Sequence, residues 1–336
     1  MNAKTAAVCS LFAAAVLAAC SPAEQKTAAG SGASAPAAAA VKKVAITAIA
    51  DHPALDTIRA GVIDGLKAEG FEEGKNLVID FQSAQGSTAN AAQIAKKFAG
   101  DQPDAIVAIT TPSAQAAAAA TKTVPVVYTA VTDPVGAKLV GSFAPSGTNI
   151  VGVSDELPVG PQIGLMKKLV PNLKTIGYVY SPGEANSVSM LNDLREQARK
   201  QGLNVVEAPA PTTAQVLTAA RSLKGKADVL FTVQDNNVVA AYDSMHKAAM
   251  EMKIPLIASD TKSVERGAAA AIGVNDYKIG LESGKMAAQI LRGTAAGSIA
   301  PTKPTEFELH LNAKFAAEQG LSFSDAIRKR ATRVIE

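Results

Sequence analysis

Tryptophan is absent, and Phe, Trp and Tyr together make up only 4% of the chain. Sugar pockets usually present aromatic platforms, so this scarcity weighs against a carbohydrate ligand, while a pocket walled by aliphatic side chains stays open. Histidine is nearly as rare: His52, His246 and His310 are far apart and form no HExxH or Cys/His pattern, so no metal site is expected. There are two cysteines, Cys9 and Cys20. Loss of an N-terminal leader containing Cys9 leaves Cys20 alone, which excludes an internal disulfide. Neither sign of charge dominates: 33 Lys plus Arg stand against 30 Asp plus Glu. A field so balanced gives nucleic acid nothing to bind, and none is expected as a partner. The phosphate loop GxxxxGK[ST], a GxGxxG after the first strand and the GxSxG nucleophile elbow are all missing. Glu72-Glu73, beside Gly74, reads as a solvated pair, and His246, in a helix expected over Asn237–Met252, reads as a surface residue. With no nucleophile or base in sight of a partner, no enzyme activity and no cofactor are expected.

What the chain does have begins at its N-terminus. Lys4 is followed by an apolar run from Ala6 to Ala19, interrupted by Ser10 and ending at Cys20. That run is too short for a bilayer span of about 20 residues and fits the core of an export signal. Leu17-Ala18-Ala19-Cys20 resembles the lipobox of bacterial lipoproteins, which implies lipidation at Cys20. The alternative is an ordinary secretory signal cleaved after Ala19, with Cys20 a bystander. Residues 1–19 are therefore expected as a signal peptide, and residues 20–40, rich in Ala, Ser, Gly, Pro and Thr, as a flexible tether. Export places the body in the periplasm or outside the membrane, held to it by the lipid alone.

From Val44 onward short apolar runs alternate with amphipathic stretches. Strands are predicted over Val44–Ile49, Leu77–Phe81, Ala105–Ile109 and Val126–Ala130, then over Thr175–Tyr180, Asn204–Glu207, Val229–Val233, Leu256–Ser259 and Ala269–Val274. Between them run helix patterns such as Leu55-Ile58-Arg59-Val62-Ile63-Leu66. The alternation predicts an α/β protein with mostly parallel sheets. Its halves are alike: Pro103-Asp104-Ala105 leads through a helix to Val124-Pro125-Val126, and Ala227-Asp228-Val229 leads through a longer one to Ile254-Pro255-Leu256. Two Rossmann-like lobes joined by a hinge follow, with crossings at Gly152-Val153-Ser154, at Gly273-Val274-Asn275 and near Lys303. Lobe one is expected to hold residues 41–155 plus 275–302, including a helix over Tyr277–Leu291, and lobe two residues 156–274 plus 303–336. The strand C-terminal ends of both lobes would then face one cleft, where open α/β sheets bind ligands.

Five segments carry a resemblance: His52-Pro53-Ala54-Leu55-Asp56, Thr111-Pro112-Ser113-Ala114-Gln115, Val131-Thr132-Asp133-Pro134-Val135-Gly136, Gly152-Val153-Ser154-Asp155 and Glu184-Ala185-Asn186-Ser187. In this order they are similar to segments of the ABC transporter substrate-binding family that includes the tryptophan-binding lipoproteins, and the likeness covers the chain after Val41. It implies a type I periplasmic-binding fold, an ABC permease as partner and an amino acid, aromatic in the best-known members, as ligand. A monomer is expected. Alternatives are another small amine-bearing solute, or a surface interaction lipoprotein with a vestigial cleft.

Candidate ligand residues follow from the loop positions. Thr110, Thr111 and Ser113 sit where a strand meets a helix, with Thr111 placed to cap and Pro112 to open that helix; its N-terminus suits a carboxylate. Their hydroxyls either meet the ligand or only cap the helix. Asp133, Asp235 and Asp260 each follow a predicted strand and either cap a helix or face the ligand, Asp235 and Asp260 being the first candidates for an ammonium. His52 lies in the first strand–helix loop, and Ser181, Glu184 and Asn186 in the matching loop of the second half. Tyr128 and Tyr180 stand near strand ends, where a ring either reaches the cleft or belongs to the core.

Overall fold

The computed structural model describes residues 40–336. The expected signal peptide, Cys20 and all but the last residue of the expected tether lie outside the described residues. Among the described residues no helix is long and apolar enough to cross a membrane.

Strand and helix alternate throughout. The first half runs β1 (Lys42–Ala48), α1 (Pro53–Ala68), β2 (Leu77–Ser83), α2 (Thr88–Asp101), β3 (Ala105–Ile109), α3 (Thr111–Ala120), β4 (Val126–Val131) and β5 (Ile150–Ser154). The second runs α4 (Val159–Leu169), β6 (Thr175–Tyr180), α5 (Ala185–Lys200), β7 (Asn204–Pro209), α6 (Val216–Arg221), β8 (Val229–Thr232), α7 (Asn236–Ala240), α8 (Tyr242–Met252), β9 (Leu256–Ala258) and β10 (Ala270–Gly273). The chain ends with α9 (Asp276–Leu291), β11 (Glu308–Asn312), α10 (Ala313–Glu318), α11 (Asp325–Arg330) and β12 (Arg333–Ile335).

The strands form two sheets. One is wholly parallel in the order β2-β1-β3-β4-β5; the other has the order β12-β11-β10-β9-β8-β6-β7 and is parallel except where β10 meets β11. Every residue of β3, β4 and β5 is buried, as strands covered by helices on both faces require. Tyr128 illustrates the consequence. It lies in β4, is wholly buried, and occupies the space left because Gly152 on β5 has no side chain: a Cβ there would meet the Tyr128 ring at 2.5 Å.

Helix α9 leaves the second sheet after β10 and packs on α1 of the first. The approach is set by glycines on both helices. A Cβ on Gly280 would stand 2.0 Å from the Ile58 carbonyl oxygen, and one on Gly61 2.4 Å from that of Tyr277. The first residue of α9, Asp276, lines the same hollow as Ala50 and His52 of the loop after β1.

Several sequence expectations need correction. Gly152, Val153 and Ser154, predicted as a crossing, are the last residues of β5; the chain leaves the sheet only after them. The helix predicted over Asn237–Met252 is broken at Ala241 (φ −99°, ψ 31°) into α7 and α8. His246 is half-buried, its ring 4.9 Å from that of Phe315, because it faces the C-terminal α10 and not solvent. Strands β11 and β12 were not predicted.

Candidate functional site

The loops at the C-terminal ends of the two sheets enclose a hollow. The lobes touch on both sides of it. The Ser189 hydroxyl, on α5, donates to Asp133 Oδ2 at 2.5 Å, and Arg266 Nη1 stands 3.2 Å from His52 Nε2. The two lobes are thus closed on each other.

On the first lobe the loop after β3 is the most distinctive. Thr110, at the N-cap of α3, has φ +78°, a conformation that costs a β-branched residue energy and occurs where the fold demands it. The cap is therefore Thr110, one residue before the predicted Thr111, and its side chain makes no capping bond. Ala130, beside it at the bulge after Thr129, also has positive φ (52°). Thr110 and Thr111 line the hollow, and the hydroxyls of both are buried without a hydrogen-bond partner. With the open N–H groups of the first turn of α3 they form a patch of neutral donors.

His52 caps α1: its Nδ1 accepts from the Ala54 amide at 3.2 Å. Both ring nitrogens thus face N–H donors, Ala54 on one side and Arg266 on the other, and no tautomer can accept from both. Burial, joined by the Arg266 charge, lowers the pKa of His52 against the pull of Asp260, which raises it.

In the second lobe the acids divide into those already satisfied and those not. Asp235, wholly buried, accepts at Oδ1 from the Ser181 hydroxyl (2.8 Å) and the Val238 amide (3.0 Å). Its Oδ2 accepts from the Ser181 amide (2.5 Å) and the Ser187 hydroxyl (2.6 Å). Asp260 accepts from the amide and hydroxyl of Ser263 at 2.9 and 2.5 Å. Glu184 Oε2 accepts from Asn236 (amide 3.1 Å, Nδ2 2.6 Å) and from Asn186 Nδ2 (3.1 Å); burial, aided by the charge of Asp235, pushes its pKa up to about 7. Asn186 Nδ2 also donates to the Gln234 carbonyl at 2.7 Å, so its amide orientation is fixed, and Oδ1 is left buried and unpartnered against the hollow.

Two further carboxylates reach the hollow from the interlobe crossings. Asp155 follows β5, is 5% exposed, and has an Oδ1 with no partner. Burial pushes its pKa up to about 6, opposed in part by the Thr132 hydroxyl. Asp276 opens α9; burial first, then the charges of Asp260 and Asp155, push it up to about 8. Asp276 therefore lies close enough to both Asp260 and Asp155 to be repelled by them. The three do not converge as cation ligands would: no group of three His, Cys, Asp or Glu suited to a metal ion occurs among the described residues. Ala54, Leu55 and Ile58 of α1 and Val239 and Ala240 of α7 supply the hollow's aliphatic lining.

Of the residues singled out from sequence, His52, Thr110, Thr111, Asn186, Asp235 and Asp260 line this hollow. Ser113, Tyr128, Asp133, Ser181 and Glu184 do not. Tyr128 is core, Ser181 and Glu184 hold Asp235 and Asn186 in place, and Asp133 bonds to the other lobe. The Ser113 hydroxyl is buried and unpartnered one residue beyond Pro112. Tyr180 also lies outside the lining and packs against Tyr178, ring centroids 6.1 Å apart. With both Asp235 oxygens occupied by its own lobe, Asp235 is not free to hold an ammonium, contrary to the sequence expectation. The residues that sequence reasoning missed are Asp155 and Asp276, together with Thr132, Gln234 and Ser259. A signal for the first two existed: each directly follows a segment marked as a crossing.

Two Rossmann-like lobes closing over a hollow at their strand ends define a solute-binding protein of the type I periplasmic-binding fold. The chain belongs to the ABC transporter substrate binding protein family, whose model matches residues 43–335. A tyrosine-binding protein of Clostridioides difficile (strain R20291) is 41% identical over 271 residues, 81% of this chain and 79% of the relative. A solved conserved domain protein from Vibrio cholerae is 45% identical with TM-score 0.86, covering 88% of this chain and 99% of that one. A domain from Streptococcus pneumonia in complex with L-Trp is 32% identical with TM-score 0.85, covering 88% of this chain and 100% of that one. By contrast, the ligand-free, open structure of a substrate binding protein with adhesive properties from Clostridium difficile reaches only 0.67 at 40% identity, covering 88% and 99%.

Proposed function

We propose that this chain captures a free aromatic amino acid (tryptophan, tyrosine or phenylalanine) in the interlobe hollow and delivers it to an ABC importer, as a lipoprotein anchored outside the cytoplasm through Cys20. The observation that carries the reading is the complementarity of the hollow's linings. The first turn of α3 and the orphaned hydroxyls of Thr110 and Thr111 suit a carboxylate. The unpartnered oxygens of Asp155 and Asn186, with Asp276 beside Asp155, suit an ammonium. The slot between Leu55, Ile58 and Val239 suits a ring. The ligand-binding relatives named above, one called tyrosine-binding and one holding L-Trp, support the same ligand class.

The mechanism is ligand-driven closure. A ligand touching both lobes binds the closed form more tightly than the open one and shifts the hinge equilibrium by that difference. The bond from Ser189 to Asp133 and the Arg266–His52 contact complete the closed state. Docking of the closed form on the permease then reports that the hollow is filled. The protein acts as a monomer, with the segment before Val41 giving it reach from the membrane.

The test is thermal unfolding of the full-length protein against a solute panel. Tryptophan, tyrosine or phenylalanine raises the melting temperature and ribose or galactose does not, because only a ligand bound to the folded state stabilises it. A flat response to every amino acid would refute the assignment. For the anchor, labelled palmitate is incorporated by the natural chain and not by Cys20→Ala; equal labelling would remove it.

A further inference from the structure

The lining of the hollow is unbalanced in charge. Among the described residues it includes four aspartates, Asp155, Asp235, Asp260 and Asp276, and neither a lysine nor an arginine. Lys262 and Arg266 are near enough to act on His52, but neither lines the hollow. Arg266 is engaged elsewhere, donating to the Val239 carbonyl at 2.7 Å. Asp235 is neutralised in effect by four donors of its own lobe, and Asp260 by the two of Ser263. Asp155 is met by the Thr132 hydroxyl and its own amide, but its Oδ1 is left without a partner, and Asp276 has no such set. Independently of the acids, Asn186 is 3% exposed and its Oδ1 points no bond at the protein, while its Nδ2 is locked by Glu184 and the Gln234 carbonyl. Asp155 Oδ1 is equally buried and equally unpartnered. Two acceptors held against the same hollow, both lacking a donor, demand one from the ligand.

A zwitterion meets these needs unequally. Its ammonium finds carboxylates in a low-dielectric enclosure. Its carboxylate finds only neutral donors, the hydroxyls of Thr110 and Thr111 and the first turn of α3, and adds a negative charge to an already negative space. The amine is the end the site requires and the carboxylate the end it tolerates.

We infer that the hollow also accepts aromatic monoamines lacking a carboxylate, the arylethylamines, with Asp155 and Asn186 as the residues that hold their nitrogen. The inference rests on the amino-acid reading for the location of the ring slot. It differs from that reading in making a decarboxylated ligand a true occupant of the site, and it implies that the protein can scavenge such amines as well as amino acids.

The test is calorimetric titration of the full-length protein with three probes of one ring and chain length: L-tyrosine, tyramine and 3-(4-hydroxyphenyl)propionate. Tyramine is expected to bind one to one, within about ten-fold of L-tyrosine and in competition with it, and the des-amino acid at least 100-fold more weakly. Asp155→Asn is expected to weaken tyramine at least ten-fold. A des-amino acid that binds as tightly as tyramine, or an Asp155→Asn variant with unchanged tyramine affinity, would overturn the inference. The outcomes separate the two readings. Tyrosine binding without tyramine removes the inference and leaves the amino-acid reading, tyramine without tyrosine does the reverse, and binding of neither removes both.

Discussion

Asp155→Asn should make the closed form of the protein more stable while impairing its function. In an unfolded chain the carboxyl has its ordinary value of 3.8; in the closed hollow burial raises it to about 6. Between those values the folded state holds a proton that the unfolded state releases, so stability falls as pH rises through this window and is flat above it. The difference of about two units corresponds to about 3 kcal/mol at 1.36 kcal/mol per unit. An asparagine has the same shape and no proton to lose. The variant is therefore expected to match the natural protein near pH 3.5 and to exceed it by about 3 kcal/mol at pH 7. Urea unfolding in parallel across that range measures the difference directly, because other titrating groups cancel between the two proteins. Amine binding should fall over the same substitution, a trade of stability against function common at binding sites. A variant less stable at pH 7, or a difference independent of pH, would show that Asp155 carries no buried charge and would refute the reasoning.

Other consequences are as direct. Gly280→Ala forces a Cβ to 2.0 Å from the Ile58 carbonyl, so it should cost about 3 kcal/mol by overpacking α1 against α9. Gly100→Ala, in α2 with nothing within 4 Å of the new carbon, should instead gain about 0.5 kcal/mol; thermal unfolding that ranks the two alike would contradict the close helix approach. Ser189→Ala removes the charge-assisted bond to Asp133 between the lobes. Ligand affinity should drop about ten-fold, since a bond of this kind contributes about 1.5 kcal/mol to the closed state. An unchanged dissociation constant would show that closure does not use it.

Much of the architecture could be read from the sequence because the central strands are continuous apolar runs bounded by turns; Ala105–Ile109 and Thr175–Tyr180 match to the residue. Strand β11 could not be read in that way. Glu308–Asn312 is short and carries a charge, and it is a strand only because Ala270–Gly273, far earlier in the chain, supplies its antiparallel partner. The site was legible by loop and less so by residue. That Asp235 follows a strand is local information; that Ser181 and Ser187 saturate it from about fifty positions earlier is not. The same holds for Tyr128, whose fate was decided by Gly152 on the neighbouring strand. Asp155 and Asp276 became visible only once the crossings between lobes were placed in space.

Placement of the ligand's nitrogen is the measurement that bears on all of this at once. In a crystal structure of the full-length protein with L-tyrosine bound, the ammonium is expected within hydrogen-bond distance of Asp155 and Asn186, with the ring between α1 and α7 and both lobes in contact. A ligand held by one lobe alone, or one turned so that its nitrogen meets the first turn of α3, would contradict it.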